Sequence, residues 1–198
     1  MKRMVLFICI ASLTLVLFVY MSKATNRKTE RQQYTVVKEE NGFEIRFYPK
    51  AIMATVLSEK TGEDRDANHN FRRLASYIFG GNKRDQKIAM TTPVYMEQDS
   101  DKNKMSFVLP AAYKMTDLPD PKDSSINIHY SEEGYFAALS FGGFVGSKKI
   151  KDKEYDLMNL LTKAGYTPTG NFTYLGYNAP WDIINRENDI IVRIRYNN

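Results

Sequence analysis

The stretch Tyr77-Ile78-Phe79-Gly80-Gly81-Asn82, followed by Lys87-Ile88-Ala89-Met90-Thr91-Thr92-Pro93-Val94, decides how this chain folds. Upstream, Phe71, Leu74, Ala75 and Ile78 recur at helical spacing and predict a helix over about His69–Phe79 with one buried stripe. The double glycine stops that helix, because glycine accepts the left-handed backbone of a helix end. A strand over about Lys87–Met96 follows, and a second over Met105–Leu109.

The same order recurs downstream. The strands Ile126–Tyr130 and Tyr135–Phe141 are expected to pair across Ser131–Gly134. A helix follows at about Lys151–Ala164, with Leu157, Leu160, Leu161 and Ala164 at core spacing and Gly165 as its stop. Strands at Phe172–Tyr177 and Ile190–Tyr196 complete the half. Ahead of the first helix, Tyr34–Glu39 and Phe43–Val56 pair through the turn Asn41-Gly42. Thr92-Pro93-Val94 and Ala179-Pro180-Trp181 are read as matching positions. Two βαββ halves, about 34–117 and 122–198, are joined by Leu118-Pro119-Asp120-Pro121. Neither half can bury its own apolar face. The expected fold is therefore α+β: one curved antiparallel sheet with two helices and a groove between related halves.

In their order and spacing, these segments resemble the SOUL/heme-binding protein family. The motifs that carry the likeness are Phe43-Glu44-Ile45-Arg46-Phe47-Tyr48, the Tyr77–Val94 stretch, Met105-Ser106-Phe107-Val108-Leu109-Pro110 and Tyr177-Asn178-Ala179-Pro180-Trp181. They span roughly residues 34–197. The resemblance implies a distorted antiparallel β-barrel with pseudo-twofold symmetry. It also implies non-enzymatic binding of heme or a related tetrapyrrole along the first helix.

On that helix His69, Arg72, Arg73 and Ser76 lie off the buried stripe, and the resemblance points to them as the cofactor contacts. The arginines would hold propionates, and His69 is the candidate iron ligand. Some members carry a histidine in the Glu-Ile-Arg-x-Tyr strand, where this chain has Phe47. Members thought to bind porphyrin place apolar side chains on the helix face that here carries the arginines. The alternative is a small-ligand or partner-binding module on the same scaffold that does not bind heme.

The first 21 residues form their own segment. Lys2-Arg3 precede an uncharged run from Met4 to Met21, in which eleven of eighteen residues are Val, Leu, Ile or Phe. At about −0.3 to −0.6 kcal/mol each, these favour insertion by at most about −3 to −7 kcal/mol. The run is long for a signal peptide and just long enough to span a bilayer. The expectation is an uncleaved anchor (1–21), a polar tether (22–33) and a domain (34–198) outside the cytoplasm. Cleavage at Ser22-Lys23-Ala24 would instead give a secreted or periplasmic domain.

Charge excludes a nucleic-acid partner. The chain carries 28 basic and 23 acidic residues, and Lys2, Arg3 and Lys23 precede residue 25 where no acid does, so the remainder holds 25 against 23. That balance leaves no basic footprint. A monomer is expected. Catalysis finds no support: the single cysteine, Cys9, lies in the apolar run, and no G-x-S-x-G elbow occurs. Gly142–Lys148 reads as a strand-to-helix connection, because it lacks phosphate-loop spacing. His129 alternates with Ile126 and Ile128 and is expected to face outward. Acidic residues fall in loops and charge runs such as Glu63-Asp64-Arg65-Asp66. Tyr48, Tyr95, Tyr113, Tyr135, Tyr174, Tyr177 and Trp181 are candidate groove aromatics.

Overall fold

The structure is a computed structural model that describes residues 29–59, 63–98, 102–179, 182 and 186–196. The apolar run and most of the tether lie outside the described residues. Among the described residues no helix is long and apolar enough to cross a membrane.

The fold is α+β. In chain order the elements are β1 (Glu30–Arg31), β2 (Thr35–Glu40), β3 (Phe43–Tyr48), β4 (Ile52–Glu59) and α1 (Glu63–Ile78). Next come β5 (Thr91–Thr92), β6 (Val94–Gln98), β7 (Lys102–Val108), β8 (Ile126–Tyr130) and β9 (Gly134–Gly142). The last are α2 (Ser147–Ala164), β10 (Thr173–Gly176) and β11 (Glu187–Arg193). Nine strands form one sheet in the order β2-β3-β9-β11-β10-β6-β7-β4-β8. Every pair within it is antiparallel.

Setting aside edge strand β2, that order is a palindrome. β3 answers to β8, β9 to β4, β11 to β7 and β10 to β6, so the twofold axis runs between β10 and β6. The duplication read from the sequence is present, but its pairing differs from expectation in one respect. β8 and β9 are not a hairpin: β8 pairs with β4, while β9 pairs with β3 and β11. Each half gives its first strand to the other. The core records the exchange. Ile126 of β8 packs with Leu74, Tyr77 and Ile78 of α1, whereas Phe43 and Ile45 of β3 pack with Leu157 and Leu161 of α2.

The two crossovers meet where Ser131 N–H donates to the Ala51 carbonyl (2.7 Å) and Ala51 N–H donates to Ser131 Oγ (3.0 Å). Pro49 lies at this point and divides the expected Phe43–Val56 strand into β3 and β4, since proline cannot donate to a ladder. The sheet curls but does not close into a barrel, because β2 and β8 remain as its two edges.

Other boundaries also move. α1 starts at Glu63, so Glu63-Asp64-Arg65-Asp66 is its first turn rather than a loop, and Asp66 is buried against Asn103. α2 starts at Ser147 and ends with Ala164 exposed. Thr92-Pro93-Val94 opens β6 whereas Ala179 follows β10, so the two tripeptides do not hold equivalent places. Residues 29–33, read as tether, lie on the domain: β1 pairs with Thr91–Thr92 of β5.

The glycine stops hold. Gly81 N–H donates to the Ser76 carbonyl (2.7 Å), with Gly80 at φ 111°, which closes the end of α1. A Cβ at Gly81 would lie 2.4 Å from Ser76 Oγ and 2.7 Å from the Ser76 carbonyl oxygen. Gly81→Ala is expected to lower stability by about 1–3 kcal/mol, read from urea denaturation. The loss should persist with Ser76→Ala, because the carbonyl clash is with backbone.

Candidate functional site

Both helices cover one face of the sheet, and side chains alternate along each strand. The helix-free face therefore receives the other half of every strand: Arg46 and Tyr48 from β3, Phe136 from β9, Ile191 and Arg193 from β11, Tyr95 and Glu97 from β6. Because the sheet curls, these side chains apart from Arg46 converge on a cleft of about 440 Å³ that reaches from Tyr48 to His129. Its walls are Tyr48, Tyr95, Phe136, Met53 and Ile191. The ring pair Tyr48–Phe136 (5.5 Å, edge-on) stiffens one side.

The rim charges occur as pairs. Lys104 meets Glu97 at 3.3 Å, and Arg193 meets Glu132. His129 lines the opposite side. It does lie on the face away from Ile126 and Ile128, but that face is the cleft and His129 is half-buried there. Its Nδ1 is 2.9 Å from the Tyr130 carbonyl, an acceptor only, so Nδ1 carries the proton. Nε2 is then free to accept from Thr55 Oγ1 at 2.9 Å, and Thr55 in turn meets Ser106 Oγ at 2.7 Å.

Behind Tyr48 lies a buried ionic network. Arg46 donates to Asp189 Oδ2 (2.7 Å), to Ser140 Oγ (2.9 Å) and to Glu44 Oε2 (2.6 Å). Ser140 Oγ and the Tyr177 hydroxyl each donate to Asp189 at 2.6 Å. Residues 31–34 strap across this network. The Tyr34 ring covers Arg46, Arg31 covers Tyr177, and the Tyr95 hydroxyl donates to Gln32 Oε1. Burial disfavours the Arg46 charge, but the Asp189 carboxylate and the Tyr48 hydroxyl outweigh it and hold its pKa above the arginine value. Burial pushes Tyr48 up to about 12 and Tyr95 well above the usual phenol range. Tyr177 is raised by burial too, with Tyr48 and Asp189 adding to the effect.

The sequence-assigned residues lie elsewhere. His69, Arg72, Arg73 and Ser76 do form one stripe, on the outer side of α1. His69, Arg72 and Ser76 are exposed. Arg73 is held by Asp123 in a two-pronged pair (2.8 and 3.1 Å). That carboxylate is drawn down to about 2 by Ser125 and, against some burial, by Arg73. The adjoining depression is polar, with Ser58, Glu59, Asp66 and Asn68 beside His69 and both arginines. Leu74, Tyr77 and Ile78 point the other way, into the core. Among the candidate aromatics, Tyr48 and Tyr95 reach the cleft and Tyr177 flanks it. Tyr135 and Tyr174 pack under α2, and Tyr113 packs against the α1 core. Trp181 lies outside the described residues. Sequence reading missed Met53, Phe136, Ile191 and His129 as cleft residues. The available signal was strand alternation, which puts Phe136 and Ile191 opposite the neighbours that pack on α2.

Among the described residues no three His, Cys, Asp or Glu side chains group as a metal site. The tetrapyrrole that the resemblance implies would call for apolar surface, cations for its propionates and an imidazole for its iron. The cleft has all three types of side chain, whereas the depression beside α1 has cations and an imidazole and no apolar side chain in its lining.

Asp189→Ala should cost toward the lower end of about 3–5 kcal/mol, because Arg46 loses its buried partner but keeps Glu44. Arg46→Met with Asp189→Leu should cost less than the two single changes added, in urea denaturation. The raised tyrosines give a pH test. A phenol held protonated in the fold contributes stability below pH about 10 that is lost as pH rises toward about 12. Absorbance titration should show Tyr48 and Tyr77 ionising late, with unfolding free energy falling over that window.

The model of the family described as SOUL heme-binding protein matches residues 29–193. Heme-binding protein 2 of Homo sapiens is 30% identical over 155 residues, covering 75% of this chain and 76% of the relative. Heme-binding protein 1 of Xenopus tropicalis is 26% identical over 144 residues, covering 68% and 75%. In structure the chain is similar to the EcmrR C-terminal domain (TM-score 0.61, 10% identity, 83% and 99% covered). It is also similar to a hydrolase from Listeria innocua (TM-score 0.57, 10% identity, 88% and 97% covered). At that identity these two likenesses speak for the fold alone. Matched from residue 29 to 193, through both halves and both helices, the chain belongs to the SOUL heme-binding protein family.

Proposed function

We propose that this domain binds heme or a related tetrapyrrole without transforming it, as a monomer. We further propose that residues 1–21 hold it at a membrane with the domain outside the cytoplasm. The observation that carries the ligand reading is the family match across the whole fold, since the family and its matched relatives are named for heme binding. The 440 Å³ cleft, within the usual range for small-molecule sites, supports a bound ligand. The membrane reading rests on the Met4–Met21 run.

The resemblance assigns the contact to the outer stripe of α1, with Arg72 and Arg73 on propionates, Ser76 beside them and His69 toward iron. The polar character of that stripe favours a second reading, a ligand-binding or partner-binding module that does not take heme. A tetrapyrrole bound there would have to draw Arg73 from Asp123.

Hemin titrated into the full chain and followed by absorbance separates the two readings. Saturable one-to-one binding below about 1 μM, roughly −8 kcal/mol, is expected. Weak, unsaturable uptake would remove heme as the ligand and leave the second reading. Cleavage is read independently: the intact mass of the membrane-fraction protein should include residues 1–24.

A further inference from the structure

We propose that the tetrapyrrole lies in the helix-free cleft, with His129 as the imidazole that faces it and with Lys104 and Arg193 as the propionate contacts. The proposal rests on the tetrapyrrole reading above and changes where the macrocycle sits.

Apolar surface is the first requirement. A macrocycle leaves water chiefly by covering apolar surface, and of these two places only the cleft is lined by apolar and aromatic side chains. Met53 and Ile191 are nearly fully buried on its floor, beside the rings of Tyr48, Tyr95 and Phe136. The phenol oxygens are turned to other partners: the Tyr95 hydroxyl to Gln32, the Tyr48 oxygen to Arg46. Tyr48 is already covered, so the ring surface that remains for a ligand comes from the half-buried Tyr95 and Phe136. The cleft also crosses the twofold axis, so a flat ligand there meets both halves of the sheet.

The imidazole is the second requirement. Nδ1–H of His129 is anchored on the Tyr130 carbonyl, which leaves Nε2 as the lone-pair nitrogen. Metal-binding histidines have this arrangement, one ring nitrogen held by an acceptor and the other presented. Nε2 now accepts from Thr55 Oγ1. Release costs little in hydrogen bonding, because Thr55 also has Ser106 Oγ at 2.7 Å. Among the described residues none anchors His69 in this way.

Charge is the third. Lys104 and Arg193 are at the rim, and their present partners Glu97 and Glu132 are partly or mostly exposed (25% and 82%). Exposed pairs contribute little, so exchange of a glutamate for a propionate is inexpensive. Glu97 keeps Asn171 as a donor, at 3.4 Å, when Lys104 turns away.

The test is absorbance titration of the full chain with hemin and, separately, with metal-free protoporphyrin IX. Four variants are compared with the parent: His129→Ala, Lys104→Ala/Arg193→Ala, Thr173→Trp and His69→Ala/Arg72→Ala. Thr173 lines the cleft on β10 and is half-buried, so a tryptophan there would take up cleft volume. His129→Ala should abolish the spectrum of coordinated iron while protoporphyrin IX still binds. The double rim variant should weaken both ligands by about tenfold or more. Thr173→Trp should block both, and the α1 variant should bind as the parent does. Circular dichroism confirms folding of each variant. If His129→Ala does not fold, the rim and Thr173→Trp variants still decide the location.

Parent-like binding by Thr173→Trp and the rim variant, with loss in the α1 variant, would overturn the placement and leave heme binding intact. Failure of the parent chain to bind either compound would overturn both placement and function.

Discussion

The buried pair of Arg46 and Asp189 is the interaction on which the arrangement of the two halves depends. Arg46 belongs to β3 of the first half and Asp189 to β11 of the second, and β9 lies between those strands. The pair spans β9 and includes its Ser140 on the way. A buried ion pair gains little net stability over apolar packing, but it penalises any arrangement that separates its members. Were β3 to lie beside β4 of its own half instead of beside β9, Arg46 would be buried without Asp189. The pair thus selects the exchanged topology, and Tyr177 and Tyr34 complete it on the open side.

Strand exchange has a geometric consequence. Each helix covers strands from both halves, so α1 and α2 together take one face of the sheet and leave the other uncovered. A curved antiparallel sheet with both helices on its outer side must be concave on the inner side. The crossovers at Ala51 and Ser131 tie the ends of β3 and β8 near one another, so the concavity is held open as a cleft. A fully closed barrel would fill that volume with side chains. The free edges β2 and β8 therefore leave room for a ligand.

Local chemistry was legible in the sequence and partner choice was not. The stops at Gly80-Gly81 and Gly165 follow from backbone conformations that favour glycine, and the turn Asn41-Gly42 does join paired strands. The repeat was legible because each half must supply its own apolar stripe. The β8–β9 hairpin was misread because a four-residue gap ending in Gly134 fits a hairpin as well as a crossover. Only the distant pairings with β4 and β3 decide between them. The site suffered the same limitation. His129 was assigned correctly to the face opposite Ile126 and Ile128, yet alternation gives a face and not its surroundings. That this face encloses Tyr48, Phe136 and Met53 depends on sheet curvature. On α1 the stripe of His69, Arg72, Arg73 and Ser76 was placed correctly as a stripe. The tie from Arg73 to Asp123, fifty residues away in sequence, carried no local signal.

Residues 29–34 connect the cleft to whatever precedes them. Arg31 reaches Glu187 and the Tyr177 ring, Gln32 accepts from the Tyr95 hydroxyl, and Tyr34 packs on Tyr48 and Arg46. Tyr48 and Tyr95 are also cleft walls. The strap therefore fixes two of the aromatic side chains a ligand would touch. Its β1 contact with Thr91–Thr92 is two residues long, whereas the adjoining sheet pairs run to seven. Short edge pairings open at low free energy relative to the core. Release of the strap would free Tyr95 and uncover Arg46 while leaving both helix-side cores intact. A ligand at the proposed place in the cleft would meet the two tyrosines that the strap holds, which would couple its occupancy to strap docking. A ligand that packs against Tyr48 and Tyr95 in their docked positions must stabilise the strap by as much as the strap favours the ligand.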